Sequence, residues 1–288
     1  MSLKGSENIE KILNNIVNDL KSSLGNNIKS IIIFGPISRL EDFILGLSDI
    51  NMVVIVKEKP SIKKRYNVIS RYARYRLNIL FLDVKNLIDI LKSGYPIGYW
   101  LVYDSKILYD DSTFRMIIEK IRPIINEYTK ESLFKLSLVA LSLAAENYFS
   151  GFFLEAINYL YYSLKHAIEW ACLIKFNLIP TSNRQIKEFL AKMSYPIMVR
   201  LCFNKLISLR KRGEVSQFSF RTLANSVIKS LCNIFNIRAS DWVYIEMKIR
   251  DLLRESSLSK IRVSIDKGKL IWEVYIATLN RIKVEKIS

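Results

Sequence analysis

Ser30–Val56 reads SIIIFGPISRLEDFILGLSDINMVVIV. Two apolar runs, Ile31–Phe34 and Met52–Val56, have the length and β-branched content of buried strands. A turn opened by Gly35 and a short helical segment lie between them. Asp49 and Asn51 precede the second run. Side chains two apart on a strand project to the same face, so this pair stands at the mouth of a sheet beside the Gly35 turn. Carboxylates next to a glycine turn suit metal-assisted phosphoryl transfer. Backbone N–H groups and a helix start hold phosphates, while carboxylates hold divalent ions.

The stretch resembles the signature of the minimal nucleotidyltransferases of the polymerase-beta-like superfamily. In that pattern a strand leads into Gly-Ser and a short helix often carrying Ala-Arg-Gly, and Ser-Asp-x-Asp opens the next strand. Phe34-Gly35, Arg39 and Ser48-Asp49 match, and so does the Gly35-to-Asp49 spacing. A third carboxylate of the family sits on a later strand, a place filled by Asp83 at the end of Asn78–Asp83. The resemblance implies transfer of a nucleoside monophosphate from an NTP to a hydroxyl on RNA, protein or a small molecule. Asp49, Asn51 and Asp83 would hold Mg2+ or Mn2+, with Asp49 and Asp83 catalytic. Gly35, Ser38 and Arg39 would contact the nucleotide. Three positions depart from the pattern: Pro36 replaces the serine, Leu40 the glycine and Asn51 the second aspartate. An asparagine offers a metal its carbonyl oxygen and no charge. The residues therefore leave three readings open: an active transferase, a degenerate nucleotidyltransferase fold that binds nucleotide or RNA, and an interaction protein that assembles through its helical half, including with itself.

Around this stretch the pattern is α+β. Ile9, Ile12, Leu13, Ile16, Val17, Leu20 and Leu24 form a helical stripe ending at Gly25. Ser61 caps a helix running to about Arg76. It carries Lys63, Lys64, Arg65, Tyr66, Arg71, Tyr72, Arg74, Tyr75 and Arg76. Interleaved Arg and Tyr suit phosphate contacts and base stacking; the plainer reading is a sheet-covering helix with a solvated basic face. Burial of Tyr66, Tyr72, Trp242 and Trp272 together would remove the motive for stacking and interface readings. A helix at Val84–Ser93, a short aromatic piece at Tyr95–Tyr103, an edge strand at Lys106–Tyr109 and a helix from Thr113 complete residues 1–127.

Beyond residue 128 helical periodicity takes over: Lys130–Phe149, Phe152–Phe176, Asn183–Lys192, Ile197–Arg212 and Phe218–Asn236. This up-and-down helical bundle, residues 128–238, is similar to the HEPN family around Ser150–Ala156 and His166–Trp170. HEPN ribonucleases carry an Arg followed shortly by His. The chain has one histidine, His166, with no such Arg before it, so His166 reads as a packed or hydrogen-bonded helix residue. Residues 239–288 read as a helix from Trp242 and a β-hairpin, Lys260–Ile265 and Lys269–Ala277, around Asp266-Lys267-Gly268.

The chain holds 288 residues, 50% of them hydrophobic, and a net charge of +17. That charge favours polyanions such as nucleic acid or nucleotides; a general Lys-rich composition explains it equally well. No run of about 18 apolar residues marks a membrane span. The N-terminal stretch from Met1-Ser2-Leu3 onward shows no secretory leader. Cys172, Cys202 and Cys232 lie in apolar helical contexts without Cys-x-x-Cys spacing. They read as buried free thiols in a reducing, cytoplasmic compartment.

Overall fold

The computed structural model describes residues 4–254, 256–278 and 281–288; Met1–Leu3, on which the leader reading partly rests, lie outside them. The chain forms two compact units. The first comprises residues up to Thr129 with Thr181–Asn183, and the second the remainder.

The first unit is a mixed sheet between two helical layers. Strands β1 (Ile28–Phe34), β2 (Ile50–Val56), β3 (Leu77–Leu82) and β4 (Ser105–Asp110) lie in the order β3-β2-β1-β4. β1 is antiparallel to β2 and β4, while β2 and β3 run parallel. Alternation along the strands splits the apolar side chains between two faces. Ile31, Ile33, Met52, Val54 and Phe81 pack with Ile12, Ile16 and Leu20 of α1 (Lys4–Leu24) and Val68 of α3 (Ile62–Arg71). On the other face, Ile32, Val53, Ile55 and Leu82 meet Leu87 and Leu91 of α4 (Val84–Ser93), Leu101 of α5 (Pro96–Tyr103) and Phe114 of α6 (Thr113–Lys120). α2 (Pro36–Arg39) is a single turn after β1. The basic helix stops at Arg71 rather than Arg76, because residues 73–75 tighten into a 3-10 turn and Arg76 takes a left-handed conformation, φ 55°.

The second unit is helical with a sheet at its end: α7 (Glu127–Phe149, entering from the first unit), α8 (Phe153–Phe176), α9 (Asn183–Lys192), α10 (Ile197–Arg212), α11 (Gln217–Phe235), α12 (Trp242–Leu252), and strands β5 (Ser257–Asp266), β6 (Lys269–Ala277) and β7 (Ile282–Ile287). The hairpin β5–β6 gains β7 as a third antiparallel strand. α12 and this sheet share one core with the helices: Trp242 and Trp272, both 1% exposed, pack edge-on at 5.7 Å. The fold class is α+β, as the patterning indicates. Among the described residues no helix is long and apolar enough to cross a membrane.

Candidate functional site

Three strand ends meet at one edge of the first sheet. The register sets Phe34 at the end of β1 beside Asn51 at the start of β2, and Asn51 beside Asn78 at the start of β3. Gly35 follows with φ 76° and ψ −151°, a region open essentially to glycine alone. Among the described residues nothing lies within 4 Å of where its Cβ would stand. Backbone conformation, not close packing, therefore requires the glycine. Pro36 then suits the first helical position.

The residues expected to contact nucleotide are tied to Asp104, which is 6% exposed. The Gly35 N–H donates to the Asp104 carbonyl at 3.0 Å. The Ser38 hydroxyl lies 2.7 Å from the Gly35 carbonyl oxygen and 3.3 Å from the Asp104 carboxylate. The Arg39 guanidinium pairs with that carboxylate and stands 3.7 Å from Asp42. Asp42 also accepts from the backbone N–H and side-chain amide of Asn183, at 2.9 and 2.8 Å. These bonds clamp the Gly35 turn to the start of β4. Asp104 carries no motif in the sequence; it is simply the residue between an aromatic run and a strand.

Asp49 sits immediately before β2, held by a turn in which Ser48 N–H donates to the Ile44 carbonyl at 2.7 Å. Its carboxylate accepts from Arg76 Nε at 2.8 Å, both side chains being about 30% exposed. Asn51 and Asn78 project to the face covered by α4 and α5. A cavity of about 440 Å³ opens at this sheet end, lined by Phe34, Asn51 and Asn78 from that face and by Met52, Ile69 and Ile79 from the other. Neither Asn78 nor Arg76 belongs to a motif. Their signal is positional: they open the strand that pairs in parallel with β2.

Asp83 does not join this group. The parallel register pairs Ile55 with Leu82, so Asp83 leaves the sheet at the opposite end, roughly 16 Å along the strand from the level of Asn78. There it caps α4. Its Oδ1 accepts from Asn86 N–H at 2.7 Å and its Oδ2 from the Asn86 side-chain amide at 2.5 Å. Asp49, Asn51 and Asp83 therefore form no common donor set. Among the described residues no group of three or more His, Cys, Asp or Glu could hold a metal. A two-ion centre needs several carboxylates to offset its charge. One ion-paired aspartate and two neutral amides do not fit it.

In the second unit, His166 on α8 places Nδ1 2.7 Å from Glu169 Oε2, with Lys165 Nζ 3.4 Å from Oε1. Burial pushes the Glu169 carboxyl up, but the charges of Lys165 and His166 outweigh it and hold it below the usual range. His166 is thus a hydrogen-bonded helix residue.

No family model matches the chain. The putative protein adenylyltransferase MJ1305 of Methanocaldococcus jannaschii is 33% identical over 129 residues, which cover 40% of this chain and 85% of that protein. The crystal structure of spectinomycin adenyltransferase AAD(9) from Enterococcus faecialis, with ATP and spectinomycin, aligns with a TM-score of 0.50 at 13% identity. It covers 76% of this chain and 98% of its own. The nucleotidyltransferase-like protein from Exiguobacterium sibiricum 255-15 covers 89% of this chain and 96% of its own at 12% identity. Its TM-score of 0.27 is too low to bear on the fold.

Proposed function

The chain belongs to the nucleotidyltransferase-like family of the putative protein adenylyltransferase MJ1305, and from that premise we propose that it binds a nucleotide without transferring its nucleotidyl group. The observation that carries this reading is the strand register. It brings Asn51 against Asn78 at the sheet end, beside an Asp49 that is ion-paired with Arg76.

Transfer needs positive charge placed on the reacting phosphoryl oxygens, an electrostatic contribution commonly worth several kcal/mol. Metal ions supply that charge only where carboxylates hold them. Neutral carboxamides serve a different purpose. An Asn side chain presents an NH2 donor group beside a carbonyl acceptor, the pair that matches the N6 and N7 edge of adenine. The cavity beside Asn51 and Asn78 has a volume within the usual range for small-molecule sites. The names of the relative MJ1305, a putative adenylyltransferase, and of the fold neighbour AAD(9) make an adenine nucleotide the first ligand to try. The resemblance of the helical half to HEPN domains carries no ribonuclease role in this reading, since the chain lacks the Arg-then-His pair.

Isothermal titration with ATP, with Mg2+ and with EDTA, tests the binding. Incubation with α-labelled ATP, Mg2+ or Mn2+, cellular RNA and cellular protein tests the chemistry. Binding that survives EDTA and weakens in Asn51→Ala and Asn78→Ala, with no label transferred, is the expected result. Label that appears on RNA or protein and disappears in Asp49→Ala would overturn the proposal in favour of an active transferase. The double variant Asn51→Asp/Asn78→Asp restores two carboxylates. A gain of metal-dependent ATP binding there would show that these two positions account for the loss.

A further inference from the structure

We infer that the exposed face of α3 and the turn after it form a docking surface for single-stranded nucleic acid, separate from the sheet-end cavity. Residues 59–76 contain Lys59, Lys63, Lys64, Arg65, Arg71, Arg74 and Arg76 and no carboxylate. A net charge of +17 spread evenly over 288 residues would leave about one positive charge on any eighteen. This segment carries seven, so a general bias toward lysine does not account for it.

The placement of the charges points the same way. Lys63, Lys64 and Arg65 occupy the first turn of α3, which holds no acidic residue. Cations at a helix N-terminus oppose the helix dipole; helix stability alone would select the opposite sign. Val68 is buried against the sheet, while Lys63, Lys64, Asn67 and Arg74 are exposed. Among the described residues no carboxylate pairs with Lys63, Lys64 or Arg74. Two of the seven are ion-paired, Arg71 to Asp19 at 3.1 Å and Arg76 to Asp49 at 2.8 Å. Beside the charges stands an exposed aromatic ring. Tyr66 is 68% exposed, with Ile62, 76% exposed, one turn before it. Tyr72, by contrast, is committed, donating to Asp19 at 3.0 Å, and Trp242 and Trp272 are core residues. A row of cations flanking one open ring fits a polyanion whose bases are free to stack. That describes a single strand, not a duplex.

The test is fluorescence anisotropy of the full chain with labelled 20-nucleotide single strands, in RNA and DNA arms, between 50 and 200 mM salt. Polyphosphate and phosphatidylserine vesicles serve as base-free competitors. Phosphate contacts predict an affinity that falls steeply with salt, with a slope of about −0.7 per contact. Lys63→Glu/Lys64→Glu should flatten that slope. Tyr66→Ala should weaken single-strand binding on the order of ten-fold while leaving polyphosphate competition unchanged. All of these residues are exposed, and circular dichroism checks that each variant stays folded. Several results would overturn the inference: no single-strand binding, binding indifferent to both variants, equal loss of polyphosphate and oligonucleotide in Tyr66→Ala, or tighter binding to vesicles than to either strand. ATP titration of Tyr66→Ala separates this surface from the sheet-end site: ATP affinity should be unchanged, and a loss of ATP binding in that variant would overturn the separation.

Discussion

Replacing Glu246 with glutamine should unmask a buried electrostatic fastening of the second unit. Its side chain on α12 is 5% exposed and receives Arg221 through Nε at 2.7 Å and Nη2 at 2.7 Å, Arg250 Nε at 2.7 Å and the Tyr148 hydroxyl at 2.5 Å. Burial pushes this carboxyl up, yet the hydrogen bonds from Arg221, Tyr148 and Arg250 outweigh burial and bring it from 4.5 down to about 2. If the unfolded chain titrates normally, that difference corresponds to roughly 3 kcal/mol at neutral pH. The arginines are 43% and 49% exposed, so water screens them and takes up part of their charge when the carboxylate is lost. We expect Glu246→Gln to cost about 2 kcal/mol at pH 7, a fall in Tm of roughly 4–8 °C. A depressed carboxyl contributes its stability above its unfolded value and loses it as pH falls through its folded one. The gap between wild type and variant should therefore be full above about pH 5 and shrink to roughly two-fifths at pH 3. Urea titrations followed by tryptophan fluorescence report it directly, because Trp242 lies 5.4 Å from the Tyr148 ring. No gap at pH 7, or an undiminished gap at pH 3, would refute the reasoning.

Three further outcomes can be checked separately. Asp83→Ala should cost the first unit about 1 kcal/mol through loss of the α4 cap and leave ATP affinity unchanged; loss of ATP binding without loss of stability would return Asp83 to the site. Burial pushes the Cys172 and Cys202 thiols up to about 12, so Ellman's reagent should find both inert in the native protein and reactive in guanidinium. Gly94→Ala should destabilise the first unit by about 2 kcal/mol in thermal melts: Gly94 sits at φ +85°, and a Cβ there would stand 2.2 Å from Asn126 Oδ1.

Where side-chain period and local structure agree, the fold was legible in the sequence. The apolar runs of β1 and β2 and the stripe of α1 emerge at their observed places. Two elements escaped for physical reasons. α5 reads PIGYWLVY, apolar around its circumference, so it has no stripe to mark a helix and needs its tertiary neighbours to be seen. β7 reads IKVEKI with Ile282 63% and Val284 44% exposed. An outer strand half in water has little apolar alternation, and its pairing partner β6 alone defines it.

Asp83 is the instructive case, because the information that moves it was present. β2 and β3 are joined by twenty residues, Lys57–Arg76, containing a helix. A hairpin needs two to five residues, whereas a strand–helix–strand crossover of this length lays the second strand parallel to the first. In a parallel pair the starts lie together and the ends lie together. A residue closing β3 therefore cannot stand beside residues opening β2, however well its chemistry suits them. The same rule puts the start of β3, and with it Asn78, at the end of the sheet where β2 begins, and the register pairs Asn78 with Asn51. Chemical type drew attention to Asp83; strand direction removes it and leaves two carboxamides and an ion-paired aspartate at the sheet end. That substitution of neutral donors for carboxylates is the physical ground for expecting binding without transfer.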